Sequence, residues 1–262
     1  MRLIWLTDIH FDFLSGRQQA AFLARLSEQA PQAVLLGGDI SIAPRLTEDL
    51  EAIGAALQVP IYFVLGNHDF YHGGIEKVHN QVRRLFRQRK KLCWLEDPGY
   101  VRLTKEVALV GHGCWGDGRA GDYWRSSLEL TDFFVIEEFK ELDKSERLRL
   151  MNRLGDEAAD YLGRFCREAA RHFRRVIVLT HVVPFFETCL YEGRSDPEGL
   201  PFFCCQKAGE IMTAVASDFP DVEFTILSGH SHSHAQKQVL PNLKSRVQGA
   251  QYYKPNFELL EA

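Results

Sequence analysis

Residues 61–69 read Ile61-Tyr62-Phe63-Val64-Leu65-Gly66-Asn67-His68-Asp69. Five apolar, β-prone residues stop at a glycine and give way to three side chains that bind metals or carry protons. A short apolar run bounded this way predicts a strand buried on both faces, here over 61–65. The same shape recurs at other places in the chain. A run over 2–9 carries Asp8-Ile9-His10, and one over 33–36 leads into Gly37-Gly38-Asp39. A run over 175–179 leads to His181, and one over 222–227 leads to Gly229-His230-Ser231-His232. Amphipathic stretches over 16–28, 45–57, 75–89 and 206–217 predict helices between them. Short strands are expected over 92–95 and 107–110, and more after His234. Strands alternating with helices indicate the α/β class.

The middle of the chain has a different texture. Residues 111–127 are rich in glycine, tryptophan and charge and predict a long surface loop, and 184–201 predicts a second. Residues 143–173 carry Leu148, Met151, Leu154, Ala158, Tyr161, Leu162, Phe165 and Ala169 at three- and four-residue steps, the spacing of one helical face. Gly155 and Gly163 are expected to break or bend that helix. With no internal repeat and no linker, the chain reads as one domain over 1–262, with an insertion or cap-like segment at about 113–173.

Composition narrows the function. At 262 residues, 45% hydrophobic and 25% charged, the chain matches soluble globular proteins and excludes a disordered tail, a collagen-like fibre and a coiled coil. No apolar run approaches the ~20 residues of a membrane helix. Asp8 and His10 interrupt the first apolar run too early for a secretory signal, which predicts a cytoplasmic protein. A net charge of −4 gives no bulk field for nucleic acid. Six cysteines without CxxC spacing, two of them adjacent at Cys204 and Cys205, predict free thiols rather than disulfides or a cysteine-held zinc.

In an open α/β sheet the carboxyl ends of the strands share one crevice. Five segments therefore deliver carboxylates, imidazoles and a carboxamide to one place, and Gly38, Gly66 and Gly229 allow the sharp turns this needs. Singly, each block has an ordinary reading as a helix cap, a turn or a surface histidine. Their joint occurrence, each after a strand, points to a metal site.

Asp-x-His, Gly-Asp, Gly-Asn-His-Asp, a lone His and Gly-His-x-His, in this order between residues 8 and 232, resemble the signature of the calcineurin-like metallophosphoesterase superfamily. The resemblance implies a four-layer α/β/β/α sandwich with its site on one edge. It also implies hydrolysis of phosphomonoesters or phosphodiesters by direct attack of a metal-bound hydroxide. By that resemblance Asp8, His10 and His232 bind one metal, Asn67, His181 and His230 bind the second, and Asp39 bridges them. His68 faces the substrate phosphate and, if protonated, donates a proton to the leaving group. Nitrogen and oxygen donors without sulfur suit manganese, iron, zinc or cobalt, with manganese or iron favoured.

One position departs from the family pattern. Many members carry a second aspartate in Gly-Asp-x-x-Asp, which orients the catalytic histidine. Ile42 stands there, which argues against a protein phosphatase and leaves Asp69 or a backbone carbonyl to orient His68.

Other features receive ordinary readings. The basic run Arg83, Arg84, Arg87, Arg89, Lys90 and Lys91 is expected on a solvated helix face and end, and Arg164, Arg167, Arg171, Arg174 and Arg175 likewise. His72, His79, His112 and His172 are expected to be structural, with His112 a candidate for the pocket lining. Trp115, Trp124 and the aromatics of 185–203 are expected to pack rather than stack on a nucleobase. His234 is left outside the site. Nucleic acid is a possible but not favoured partner, through a nuclease of the same superfamily. A non-catalytic scaffold and a zinc amidohydrolase are weaker alternatives, because all the metal positions are filled and the chain has too few βα units.

Overall fold

Strands with apolar side chains on both faces need cover on both faces, and the fold supplies it with two sheets and two helical layers. The computed structural model describes residues 1–262. Its first half runs β1 (Arg2–Leu6), α1 (Gly16–Glu28), β2 (Ala33–Gly37), α2 (Leu46–Leu57), β3 (Ile61–Val64), α3 (Ile75–Gln88), β4 (Leu92–Trp94), β5 (Tyr100–Arg102) and β6 (Val107–His112). The second half runs α4 (Asp132–Val135), α5 (Lys144–Ala170), β7 (Arg175–Thr180), α6 (Leu200–Phe203), α7 (Gln206–Asp218), β8 (Glu223–Ser228), β9 (Ala235–Leu240), β10 (Leu243–Val247) and β11 (Glu258–Glu261).

One sheet has the order β11-β1-β2-β3-β4 and the other β5-β6-β7-β8-β10-β9. β1 to β4 are mutually parallel, as are β6, β7, β8 and β10, whereas β11, β5 and β9 close the edges antiparallel. Alternate residues of each strand enter different cores. Leu3, Trp5, Leu35, Leu109, Leu179 and Leu227 pack between the sheets. Ile4, Leu6, Leu36 and Phe63 face α1, α2 and α3 through Leu26, Leu50 and Val82. Ala108, Val110, Val178 and Ile226 face α5 and α7 through Leu162, Cys166, Met212 and Val215. Three cores between four layers make the α/β/β/α sandwich. Capping boxes at Ser15–Gln18 and Asp143–Glu146 start α1 and α5.

Several boundaries differ from the sequence reading. The first strand stops at Leu6 rather than residue 9, because Asp8 and His10 take left-handed backbone (φ 53° and 43°). The predicted loop over 111–127 begins two residues late, since Gly111 and His112 pair with Leu179 and Thr180 of β7. The predicted loop over 184–201 ends in the short helix α6. α5 is unbroken at Gly155 and Gly163. Their missing side chains serve close packing: a Cβ at Gly155 would lie 2.5 Å from Asp117 Cβ, and one at Gly163 2.9 Å from Ile211 Cγ2 on α7. All six cysteines are free, and no helix is long and apolar enough to cross a membrane.

Candidate metal centre

The site lies where the carboxyl ends of β1, β2 and β3 meet those of β7 and β8. Asp8 and His10 follow β1, Asp39 follows β2, Asn67 and His68 follow β3, His181 follows β7, and His230 and His232 follow β8. Backbone bonds lace these loops together: Asp8 N donates to Gly38 O, His10 N to Asp39 O and Gly229 N to His181 O, each at 3.0 Å. Asp69 is a latch between two of them, accepting from Gly66 N (2.8 Å), Ile40 N (2.9 Å) and Ser41 N (2.9 Å). It therefore does not orient His68 as the sequence reading allowed. Five of the twelve non-glycine residues with positive φ are Asp8, His10, Asp39, His230 and His232. Strained backbone concentrated in this way marks a functional site. Gly66 and Gly229 are required by space, because a Cβ on them would run into Asp39 Oδ1 and Asp8 Oδ2 respectively.

Donor atoms of Asp8, His10, Asp39 and His232 all lie within 4.8 Å of one another, and those of Asp39, His181 and His230 form a second group sharing Asp39. Asp39 sits 3.3 Å from His181 Nε2 and 3.7 Å from His10 Nε2. Asp8 Oδ1 is 3.2 Å from His232 Nε2, and Asp8 Oδ2 accepts from Thr7 Oγ1 at 2.6 Å. Burial pushes the Asp39 carboxyl well up, and the neighbouring charges of Asp8 and Asp69 add to it. Burial acts the same way on Asp8, but the His232 hydrogen bond and the charges of His181, His232 and His10 overcome it and hold Asp8 well below the usual range. Burial lowers His10 to about 4 and His230 to about 3. These imidazoles are neutral, with lone pairs free.

The residues fit a pair of cations. His181 Nδ1 lies 2.9 Å from Gly37 O, which fixes the N–H there and leaves Nε2 as a bare lone pair. That lone pair faces Asn67 Oδ1 and Asp39 Oδ1, each at 3.3 Å, so three atoms able to ligate a cation converge. His230 Nε2, 3.4 Å from Phe202 O, is likewise committed and leaves Nδ1 bare. Both ring nitrogens of His10 are buried with no hydrogen-bond partner. Buried acceptors left unpaired in this way cost free energy unless something positive sits among them.

The family model for calcineurin-like phosphoesterases matches residues 1–234. The chain belongs to that family. It is a metal-dependent phosphoester hydrolase. No curated protein matches it in sequence. Solved structures resemble it in fold at low identity. Phosphopantetheinyl hydrolase from Mycobacterium tuberculosis is 12% identical with a TM-score of 0.67, over 94% of this chain and 89% of that one. A dimetal phosphatase from Danio rerio is 12% identical with a TM-score of 0.58, over 95% and 87%. An anchor protein of the inner membrane complex of Plasmodium is 13% identical with a TM-score of 0.50, over 95% and 71%. At such identities the likeness establishes the fold alone.

In this phosphoesterase Asp39, Asn67, His230 and His232 line a cleft of about 820 Å³. His68 stands in it, its ring stacked on Tyr71 (4.2 Å, 24°) and 4.6 Å from His10. Burial first, then the charges of His10 and His181, lower its pKa to about 2. That environment favours the neutral ring. Three cleft residues escaped the sequence reading. Asp132 Oδ1 accepts from Asn67 Nδ2 (2.9 Å) and from Tyr71 Oη (2.6 Å). Asp132 thus turns Asn67 Oδ1 towards His181 and steadies the ring under His68. Tyr252, at 4.7 Å from His10 and 5.1 Å from His232, covers the opposite side. Asp132 and Tyr252 lie outside every motif and only the fold brings them near, whereas Tyr71 follows the Gly66–Asp69 block by two residues.

Other candidates lie elsewhere. His112 lines a separate cavity of about 310 Å³ with Glu96 and His79, not the cleft, which corrects the expectation of a pocket role. Trp115 is buried against Phe70 and Phe139, whereas Trp124 is exposed. Tyr191 and Phe203 do reach the cleft. His72, His172 and His234 are exposed. Arg83 pairs with Asp97, Arg89 with Glu51, Arg167 with Asp218 and Arg175 with Glu223, and none of them lines the cleft.

Proposed function

We propose that this chain hydrolyses phosphomonoesters or phosphodiesters with two bound cations, manganese or iron before zinc or cobalt. Asp8, His10 and His232 would hold one, Asn67, His181 and His230 the other, with Asp39 between them. A mixed imidazole and carboxylate set without sulfur suits all four of these cations. Bound there, the pair would supply Lewis-acid neutralisation of phosphate charge and a water of lowered pKa. The chain's own residues do the rest. Asp39, next to both groups, fixes the spacing. Burial keeps His181 and His230 neutral, and their Nδ1 and Nε2 contacts with Gly37 O and Phe202 O fix which ring nitrogen is left bare. Neutral His68, steadied by Tyr71, offers a hydrogen bond to a phosphoryl oxygen, and the wall of Tyr71 and Tyr252 limits water around the ester.

The observation that carries the proposal is the convergence of His181 Nε2, Asn67 Oδ1 and Asp39 Oδ1, with Asp39 shared by two clusters of metal-binding side chains. We further propose that residues 1–262 act as one domain whose segment at about 113–173 is an insertion or cap, its Leu130, Thr131 and Asp132 reaching the cleft. Six free thiols support a reducing, cytoplasmic setting. The direct test is turnover of p-nitrophenyl phosphate and bis(p-nitrophenyl) phosphate by manganese-loaded protein. Activity on at least one, abolished by Asp39→Asn, is expected. A fully loaded but inactive protein would overturn the proposal.

A further inference from the structure

The cleft holds no lysine or arginine in its lining. Beyond the cation pair, nothing there would neutralise a second phosphate, and Asp132 and Glu192 would repel one. A nucleic-acid backbone or a di- or triphosphate therefore finds no electrostatic track, because such ligands rely on several cationic side chains. The cleft instead opens into an apolar annex of about 290 Å³. Leu130, Tyr191 and Phe203 line both cavities, and Leu128, Leu190 and Leu200 complete the annex. The Phe203 ring packs 4.8 Å from the His230 ring, so the annex begins beside the metal-facing groups. Asp196 is its one charged lining residue, and that carboxylate already accepts from Glu198 N. Ser231 also lines it, and its Oγ is buried without a hydrogen-bond partner, a single polar handle next to His230.

We infer that this annex is the subsite for the organic half of the substrate, and that this half is an uncharged apolar chain or ring carried on a single phosphate ester. The inference rests on the phosphoesterase reading and specifies its substrate class. At roughly 30 Å³ per water the annex has room for on the order of ten water-sized groups, which accommodates a chain of several methylenes. A sugar or a glycerol would leave its hydroxyls against leucine and phenylalanine without partners, at a loss.

The test uses the manganese-loaded full chain in two arms. In the first, kcat/KM is measured for ethyl, butyl and hexyl phosphate, with glycerol phosphate and glucose 6-phosphate as polar controls. The expected rise is about fourfold per methylene, the ratio that ~0.8 kcal/mol per buried CH₂ gives, and hexyl phosphate exceeds both controls. In the second, binding of ethyl-, butyl- and hexylphosphonate, which are not hydrolysed, is measured by calorimetry. The same slope in Kd is expected, with an increasingly negative heat-capacity change. Leu190→Gln flattens both series to less than twofold per methylene. Leu128→Asn, at a partly exposed position, does the same and serves if the first variant fails to fold. Flat series, or polar controls preferred over hexyl phosphate, would overturn the annex assignment and leave the hydrolase standing. A doubly loaded protein that turns over no ester would overturn both.

Discussion

Replacing Asp132 by asparagine tests whether a residue outside every sequence motif controls the site. The carboxylate accepts two hydrogen bonds at one oxygen, from Tyr71 Oη at 2.6 Å and Asn67 Nδ2 at 2.9 Å. Asparagine keeps the shape and can still set its carbonyl oxygen between Tyr71 Oη and Asn67 Nδ2, but that oxygen is uncharged and accepts more weakly. A hydrogen bond to a charged group is worth about 1.5–3 kcal/mol. Against that loss, Asp132 is a buried carboxyl whose pKa burial raises in spite of those bonds, and the amide removes that desolvation cost. The two effects offset to within about 1 kcal/mol of folding stability. Function responds more strongly. Asn67 is then held by an uncharged, weaker acceptor, and mutation of such an outer partner costs roughly 10–100-fold in metal affinity or activity. Manganese titration, turnover of p-nitrophenyl phosphate and thermal unfolding on one preparation separate these outcomes. A drop of 10–100-fold with a nearly unchanged Tm is expected, and Tyr71→Phe, which keeps the ring under His68, costs less. Metal affinity and kcat both within twofold of wild type would refute a positioning role for Asp132.

Three further outcomes follow from the geometry. A neutral His68 acts through a hydrogen bond, so His68→Ala slows alkyl and nitrophenyl esters by similar factors with metal content unchanged; a loss concentrated on alkyl esters, in the 10²–10⁴ range of general acids, would instead show a proton donor. His79 is half-buried against Phe70 and Trp94, and desolvation lowers its pKa. A lowered folded-state pKa means the unfolded chain takes the proton first as pH falls. Its contribution is therefore intact above about pH 6.5 and is lost below that value. Urea midpoints at pH 7.5 and 5.5 should show wild type falling more than His79→Gln, and parallel falls would contradict this. Gly66→Ala forces a methyl into Asp39 Oδ1 and should lower kcat at least tenfold while the secondary structure, by circular dichroism, is kept; normal activity would show that the loop relaxes freely.

The layers were legible in the sequence because strands buried on both faces are continuous apolar runs, and α1, α2, α3 and α7 carry a helical face. The metal-facing residues were legible because each follows a strand directly, and parallel strands must bring those ends together. Asp132, Tyr71 and Tyr252 were hidden for the opposite reason. Asp132 starts the four-residue helix α4, Tyr71 closes the turn after the Gly66–Asp69 block and Tyr252 lies in the C-terminal tail, stretches too short for any period to constrain the residue type. Gly155 and Gly163 misled because glycine weakens an isolated helix, whereas here the missing Cβ lets Asp117 and Ile211 approach. β5, three residues long, is too short for any period to register. His112 is the last residue of β6, at a strand end like the candidate site residues, but β6 lies on the far side of β7 from β8, and its end opens on another cavity.

The central claim is that seven side chains from five strand ends hold two cations that share Asp39. Anomalous diffraction from crystals grown with manganese reads this directly. Two peaks are expected in each chain, one among Asp8, His10, Asp39 and His232 and one among Asp39, Asn67, His181 and His230. A single peak, or peaks that avoid Asp39, would contradict it.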